Sequence, residues 1–394
     1  MDGYVKSFIK SFFATTITRQ IRELYSATVI LDLAIALVNI FEPVFLYVTF
    51  IRHFNLKTTL ELILVFYLFI YILYFFTVPL GAKFAKRFGY ENSIAVSTLF
   101  MVGLYFCLLG LASYPWLAAL AALLYVPAKL FYWPAYHGDF ARFVAKGEQG
   151  RSISNLTALI NLVCISGPII GGLVIQFYGF KVLFIIVAIL MLVSNIPMLI
   201  TKEQFEPSGF SYFDAYRRVL AKKHRRQFLA HLGYGEELIV LVIWPIFMYI
   251  IVTNFLGLGL LVTLSTLVTT LLGLYVGNIT DRSDPRSVLR FGTIFYFFSW
   301  LMMLLARTTV GAFFTDVYSR VSKQTLSIPI TAMTYEKAQD GGHVMKTVVF
   351  YEMSLVVGKI IAMLIALVLL QIFTPGWNAM FIMAAGMTLL YLLF

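Results

Sequence analysis

Leu60-Glu-Leu-Ile-Leu-Val-Phe-Tyr-Leu-Phe-Ile-Tyr-Ile-Leu-Tyr-Phe-Phe-Thr-Val-Pro-Leu80 carries one charged residue and runs directly into Gly81-Ala-Lys-Phe-Ala-Lys-Arg-Phe-Gly89. About 20 consecutive apolar residues are what a helix needs to cross the hydrocarbon core of a bilayer. A tight, basic turn behind such a run marks the side to which Lys and Arg are retained. The whole chain is built to this pattern. It is 60% hydrophobic and 12% charged, with mean hydropathy +0.87. Soluble domains carry roughly twice that charge. The 37 Phe and 23 Tyr exclude a disordered chain.

Reading outward gives twelve apolar stretches: 24–50, 60–80, 92–113, 115–137, 150–176, 181–200, 228–254, 256–277, 289–306, 309–333, 345–372 and 376–394. They are continuously apolar rather than alternating, which excludes an outer-membrane barrel. The expected fold is an all-α integral membrane protein of twelve helices, with both termini cytoplasmic. The orientation follows from the bases, of which only Arg52, Lys57, Lys181 and Arg307 fall in the opposite set of loops. That distribution also refutes nucleic acid as the reason for the net charge of +11. Cys107 and Cys164 lie in apolar segments, so no disulfide framework or cysteine metal site is expected.

Four segments are expected. Residues 1–22 repeat apolar side chains at helical spacing between bases and read as an interfacial amphipathic helix. Residues 23–200 form the first six-helix half, 201–227 a basic central loop, and 228–394 the second half. Within the loop, Ser211 and Asp214 predict the start of a short helix. The run Lys222-Lys-His-Arg-Arg226 is open to two readings, a topological anchor or a contact for anionic lipid. An internal repeat supports the halves. Pro43-Val-Phe-Leu-Tyr-Val48 returns as Pro245-Ile-Phe-Met-Tyr-Ile250, and Gly81, Trp133-Pro134 and Gly167 return near Gly277, Ile328-Pro329 and Gly358.

On these features the chain resembles the major facilitator superfamily over nearly its whole length, and within it the bacterial twelve-helix drug exporters. The family's loop motif matches at Gly81, Lys86, Arg87 and Gly89, with Ala85 where the family has an aspartate; the second copy keeps Gly277, Asp281 and Arg282. The resemblance implies that Gly81 ends a helix and that Asp281 helps hold the cytoplasmic side shut. Gly167, Pro168, Gly171 and Gly172 in span five resemble the family's antiporter motif, for which close helix packing is the plain alternative.

Ionisable residues inside the spans carry the functional reading. They are Asp32, Glu42, Lys129, Glu236, Glu237, Asp316, Arg320, Lys323, Glu352 and Lys359. Each costs about 2.5–3.5 kcal/mol at the bilayer centre. Facing lipid together they would exceed a typical net stability of about 5–15 kcal/mol, so they must face one another or water. Most fall on spans one, four, seven and ten, which line the central cavity in the resembled family. With them share helix faces Asn39 on span one, Tyr125, Tyr132 and Tyr136 on span four, Tyr234 and Trp244 on span seven, and Asn161 on span five. The expected pairs are Asp32–Lys129, Asp316–Arg320, Lys323 with Glu236 or Glu237, and Glu352–Lys359. Glu42 and one member of the 236/237 pair then remain as proton carriers.

No HExxH pair and no phosphate loop occurs, so catalysis and direct nucleotide drive are not expected. The expectation is a monomeric, multi-pass transporter of the cytoplasmic membrane without a cofactor. It would move a small-molecule substrate by alternating access at the expense of a proton gradient, with export ahead of uptake. A membrane sensor or scaffold that keeps the fold is the reading from a different class.

Overall fold

The computed structural model describes residues 19–143, 160–200, 209–282, 284–340 and 344–394. The expected amphipathic helix at 1–22 therefore lies almost wholly outside the described residues. Every regular element among the described residues is helical. In chain order these are α1 (Arg19–Val38), α2 (Phe41–Phe50), α3 (Leu56–Phe88), α4 (Tyr90–Gly110), α5 (Leu117–Phe143), α6 (Gly167–Ser194) and α7 (Tyr212–Leu220). There follow α8 (Arg225–His231), α9 (Trp244–Val252), α10 (Phe255–Arg282), α11 (Pro285–Met303), α12 (Thr309–Asp340), α13 (Val344–Ile372) and α14 (Trp377–Thr388).

Eight helical segments among the described residues are long and apolar enough to cross a membrane, with Trp377–Leu393 as a shorter one. The longest, Ile160–Leu199, has 40 residues. At about 1.5 Å per residue it would be twice the needed length if straight. It is not: Gly179 adopts φ 81° and ψ 171° and reverses the chain there, a conformation that favours glycine. α11 and α12 are as helical as the rest but more polar. Arg286 and Arg290 open α11, and Asp316, Arg320 and Lys323 interrupt α12.

Local chemistry sets the breaks. Pro43 has no N–H for the carbonyl of Asn39, and the chain turns between α1 and α2 at Asn39–Ile40. Pro245 stands at the repeat-related place, and the helix widens into a π turn over Ile239–Ile243 just before it. Asn55 caps α3 by accepting from the Thr58 amide at 2.9 Å. Ser211 caps α7 by accepting from the Asp214 amide at 3.3 Å. Asp284 caps α11. The hydroxyl and amide of Ser287 donate to it and hold its carboxyl below the ordinary aspartate range.

Within the first half, α1 packs on α6, α3 on α5 and α4 on α5. In the second, α10 and α11 pack on α12. The halves meet mainly along two seams, α3 against α13 and α6 against α10. The central helix α7 lies across the first seam. Pro79 leaves the carbonyl of Phe75 without its helical donor. Tyr216 Oη donates to the Phe75 carbonyl at 3.4 Å and to that of Phe76 at 3.0 Å, and Tyr212 Oη to Phe76 at 2.8 Å.

Candidate functional site

The ionisable residues of the spans form a network of acids, ammoniums and tyrosines that crosses the seam between the halves. Glu236, in the short turn leading to α9, is fully buried. Lys323 of α12 bonds its Oε1, the Tyr296 hydroxyl donates to Oε2 at 2.7 Å, and the Tyr391 hydroxyl donates to Oε1 at 3.1 Å. The rings of Tyr234, Tyr296 and Tyr391 lie 5.4, 5.2 and 5.6 Å from the Lys323 ammonium. A buried ion pair is tolerable only where further hydrogen bonds satisfy it, and here tyrosines supply them on both sides.

Adjacent residues on a helix diverge by about 100°, so Glu237 serves a different partner. Its Oε2 lies 2.7 Å from Nζ of Lys359 on α13. The Lys359 ammonium sits 5.3 Å over the ring of Tyr71 on α3. Lys129 of α5 sits 5.1 Å from the same ring and 5.0 Å from that of Tyr125. Tyr71 therefore stands between ammonium groups contributed by the two halves.

Two other carboxylates are held by tyrosine. Tyr74 Oη donates to Glu352 Oε2 at 2.9 Å, and His137 Nε2 lies 3.4 Å from Glu352 Oε1 with its ring stacked on Trp133. Tyr67 and Tyr105 donate to Glu42 at 3.1 and 3.4 Å. Tyr67, Tyr71 and Tyr74 thus form one stripe of α3 that meets three parts of the network. In the second half, Asp316 accepts from Arg320 Nε at 2.6 Å and from Trp244 Nε1 at 3.0 Å.

The pairing differs from expectation in three places. Asp32 is half-buried and forms no ion pair among the described residues, because Lys129 faces tyrosine rings instead. Glu352 and Lys359 share a helix but are two turns apart, about 10 Å along the axis, and each finds a nearer partner on another helix. Both Glu236 and Glu237 are paired with lysine, so among the six span acids Asp32 and Glu42 are the two with no ion-pair contact among the described residues, Glu42 feeling Lys129 only through space. Burial corrects a further expectation. Glu42, Glu236, Trp244, Asp316, Glu352 and Lys359 are packed against their neighbours rather than open to a volume of water. Tyr132 and Tyr136 stack at 5.5 Å and, with Thr28, Ser194 and Asn195, line a small cavity inside the first half. Asn39 is exposed at the α1–α2 break, and Asn161 is half-buried ahead of α6.

The sequence reading missed Tyr67, Tyr71, Tyr74, Tyr105, Tyr296, Tyr391 and His137. The spacing of the three tyrosines on α3 was a usable signal, since it is the spacing of one helix face.

The glycine motifs are packing devices. A Cβ on Gly167 would strike Ala36, one on Gly171 the Leu37 carbonyl, and one on Gly172 the Phe255 carbonyl. Gly259 of α10 meets the Pro168 carbonyl in the same way, and the Ile169 amide donates to Thr263 Oγ1 at 3.0 Å. The motif thus joins α6 to α1 in its own half and to α10 in the other. Gly81 does not end a helix. α3 runs on to Phe88, and a Cβ on Gly81 would overlap the Leu130 carbonyl of α5. The turn belongs to Gly89, with φ 107°. Lys86 is half-buried, and Arg87 lies 5.2 Å over the Phe88 ring. Gly277, Asp281 and Arg282 close α10, but their side chains lie outside the described residues.

Two groups of helices thus meet along paired seams around buried ion pairs. The family model for the Major Facilitator Superfamily matches residues 24–258 and 227–394. The chain belongs to that superfamily and is a multi-pass membrane transporter. Among solved structures it is similar to a POT family transporter in complex with 5-aminolevulinic acid, with TM-score 0.69 and 12% identity over 97% of this chain and 96% of that one. A POT family transporter in complex with a thioalcohol conjugated peptide gives TM-score 0.68 and 12% identity, covering 95% and 94%. At that identity the likeness concerns the fold. No curated protein matches the chain in sequence.

Proposed function

We propose that this chain is a proton-coupled secondary transporter of a small organic solute, working by alternating access between its two halves. It would have twelve spans, both termini in the cytoplasm, and work as a monomer in the cytoplasmic membrane. The observation that carries this reading is the network at the seam. Tyr74–Glu352 and the Lys129–Tyr71–Lys359 array join the halves through charged and polar groups. Such contacts exchange partners when the halves rock, whereas a static scaffold would be better served by an apolar seam. Glu42, buried with tyrosines and without a direct ion-pair contact among the described residues, is the favoured proton carrier, as acids within spans commonly are.

The expected direction is export, resting on the span-five motif; packing accounts for the glycines of that motif, so the test must read both directions. Purified protein in proteoliposomes should move a solute when a pH gradient is imposed. 5-Aminolevulinic acid and a thioalcohol conjugated peptide, the ligands named for the two structural neighbours, are the first probes of a wider solute library. Accumulation on the acidic side of the membrane identifies proton exchange, and accumulation on the opposite side identifies symport. Absence of gradient-driven flux and of solute exchange across the library would favour the sensor or scaffold.

A further inference from the structure

A cleft of about 70 Å³ opens between the start of α8, the first turns of α11 and the segment after α14. Arg226, Arg286 and Arg290 line it, with Leu289, Tyr391 and Phe394. It is separate from the network above, although its wall residue Tyr391 bonds Glu236 there. Three guanidinium groups converge there, and among the described residues no Asp or Glu side chain lines the cleft; like charges held together attract a counter-ion, which makes the cleft an anion site. Asp284, the acid beside Arg286, is already engaged as the cap of α11. Arg226 is fixed by its Nε, which donates to the Leu393 carbonyl at 2.8 Å, a bond that does not use its outer amino groups. The size also fits. About 10–15 Å³ of such space holds one water-sized group, so the cleft accommodates about five heavy atoms, the scale of one phosphate.

The surroundings decide what carries that phosphate. From Arg290 an apolar stripe runs along α11 through Phe291, Ile294 and Phe298, which are 64%, 50% and 50% exposed. These positions share one helix face, directed outward. A free phosphate would leave that stripe unused, whereas an acyl chain would lie on it. We propose that the Arg226–Arg286–Arg290 cleft binds the phosphate of an anionic phospholipid, with an acyl chain laid along Phe291, Ile294 and Phe298.

The test is native mass spectrometry of the full chain, titrated with phosphatidylglycerol and, separately, with phosphatidylcholine. Near a membrane surface each Lys or Arg contributes about fivefold in affinity for anionic lipid. The triple variant Arg226→Gln, Arg286→Gln, Arg290→Gln should therefore lose roughly a hundredfold for phosphatidylglycerol. An equally charged control, Lys222→Gln, Lys223→Gln, Arg225→Gln, alters neighbouring exposed bases outside the cleft and should keep most of that affinity. Circular dichroism and thermal melting verify that both variants are folded; should the triple variant misfold, the single Arg290→Gln variant is read instead, with about a fivefold loss expected. Equal losses in cleft and control variants would mean diffuse surface attraction and overturn the site. Displacement of the lipid by millimolar inorganic phosphate, or equal retention of phosphatidylcholine, would overturn the anionic phospholipid as its occupant.

Discussion

The Tyr74 hydroxyl donates to Glu352 Oε2 over 2.9 Å and so ties α3 of the first half to α13 of the second. Both side chains are buried, at 1% and 4% exposure. Among the described residues Glu352 has one further direct contact, with His137 Nε2 at 3.4 Å. Tyr74→Phe removes the donor while keeping the ring, so the buried carboxylate loses a partner it cannot replace with water. Such a loss costs about 1–3 kcal/mol. The variant should melt at lower temperature in detergent, and Tyr74→Phe combined with Glu352→Gln should recover part of the loss. A Tyr74→Phe melting curve superposable on that of the parent would show that the bond does not hold the halves together.

The Glu236–Lys323 pair predicts a different pattern. Removing one member strands a buried charge and costs about 3–5 kcal/mol, whereas removing both leaves neutral groups. Lys323→Met and Glu236→Gln should each be strongly destabilising, Lys323→Met the more so. The double variant should be more stable than either single one. Thermal unfolding of the four proteins gives the coupling directly, and additive losses would contradict a buried pair.

Much of this architecture was legible in the residues. Long apolar runs and a repeat offset by 191 to 202 residues pointed to the fold, because burial in lipid leaves few alternatives to a helix. Pro43 and Pro245, which marked the repeat, stand at the two places where the first helix of each half is disturbed. Pairing was less legible. Helical phase states which face a residue occupies, not which helix lies opposite, so Lys359 was assigned to its own helix and Lys129 to Asp32. The tyrosines escaped because an aromatic residue within a span reads as apolar, although Tyr67, Tyr71 and Tyr74 act here as donors and as surfaces for cations. Gly81 escaped for a related reason, since a glycine beside a basic turn looks like a terminator until the carbonyl of Leu130 is seen against it.

The glycine contacts separate packing from mobility. A Cβ at Gly171 or Gly259 meets backbone, which cannot move aside as a side chain would. Gly171→Ala and Gly259→Ala should therefore lower the melting temperature and weaken the α1–α6 and α6–α10 contacts respectively. Gly386, on α14, has nothing within 4 Å of that position. Gly386→Ala should be neutral or stabilising by up to about 1 kcal/mol through helix propensity alone. If all three alanine variants behave alike, the close approaches are not constraining the bundle.

The proposed proton coupling turns on which span acids lack an ion-pair partner. Glu237 lies 2.7 Å from Lys359, and Glu236 is bonded by Lys323, so each has its charge balanced within the protein. Asp32 and Glu42 have no such partner among the described residues. Glu42 is bonded by Tyr67 and Tyr105, neutral groups that can accompany either its charged or its protonated form. In the proposed cycle, moving the halves would change the access of water to such a group, and a change of protonation would follow without breaking an ion pair. On this argument Glu42→Gln should abolish accumulation driven by a pH gradient while solute exchange between two equal compartments survives. Asp32→Asn should follow the same pattern if that residue shares the role. Glu237→Gln should instead impair both modes, because it leaves the Lys359 ammonium buried without its carboxylate. The measurement is paired flux and exchange in proteoliposomes for the three variants. Gradient-driven accumulation at the parental rate in Glu42→Gln and in Asp32→Asn would remove both acids from the coupling path, and equal damage to exchange in all three would make them parts of the structure rather than carriers of the proton.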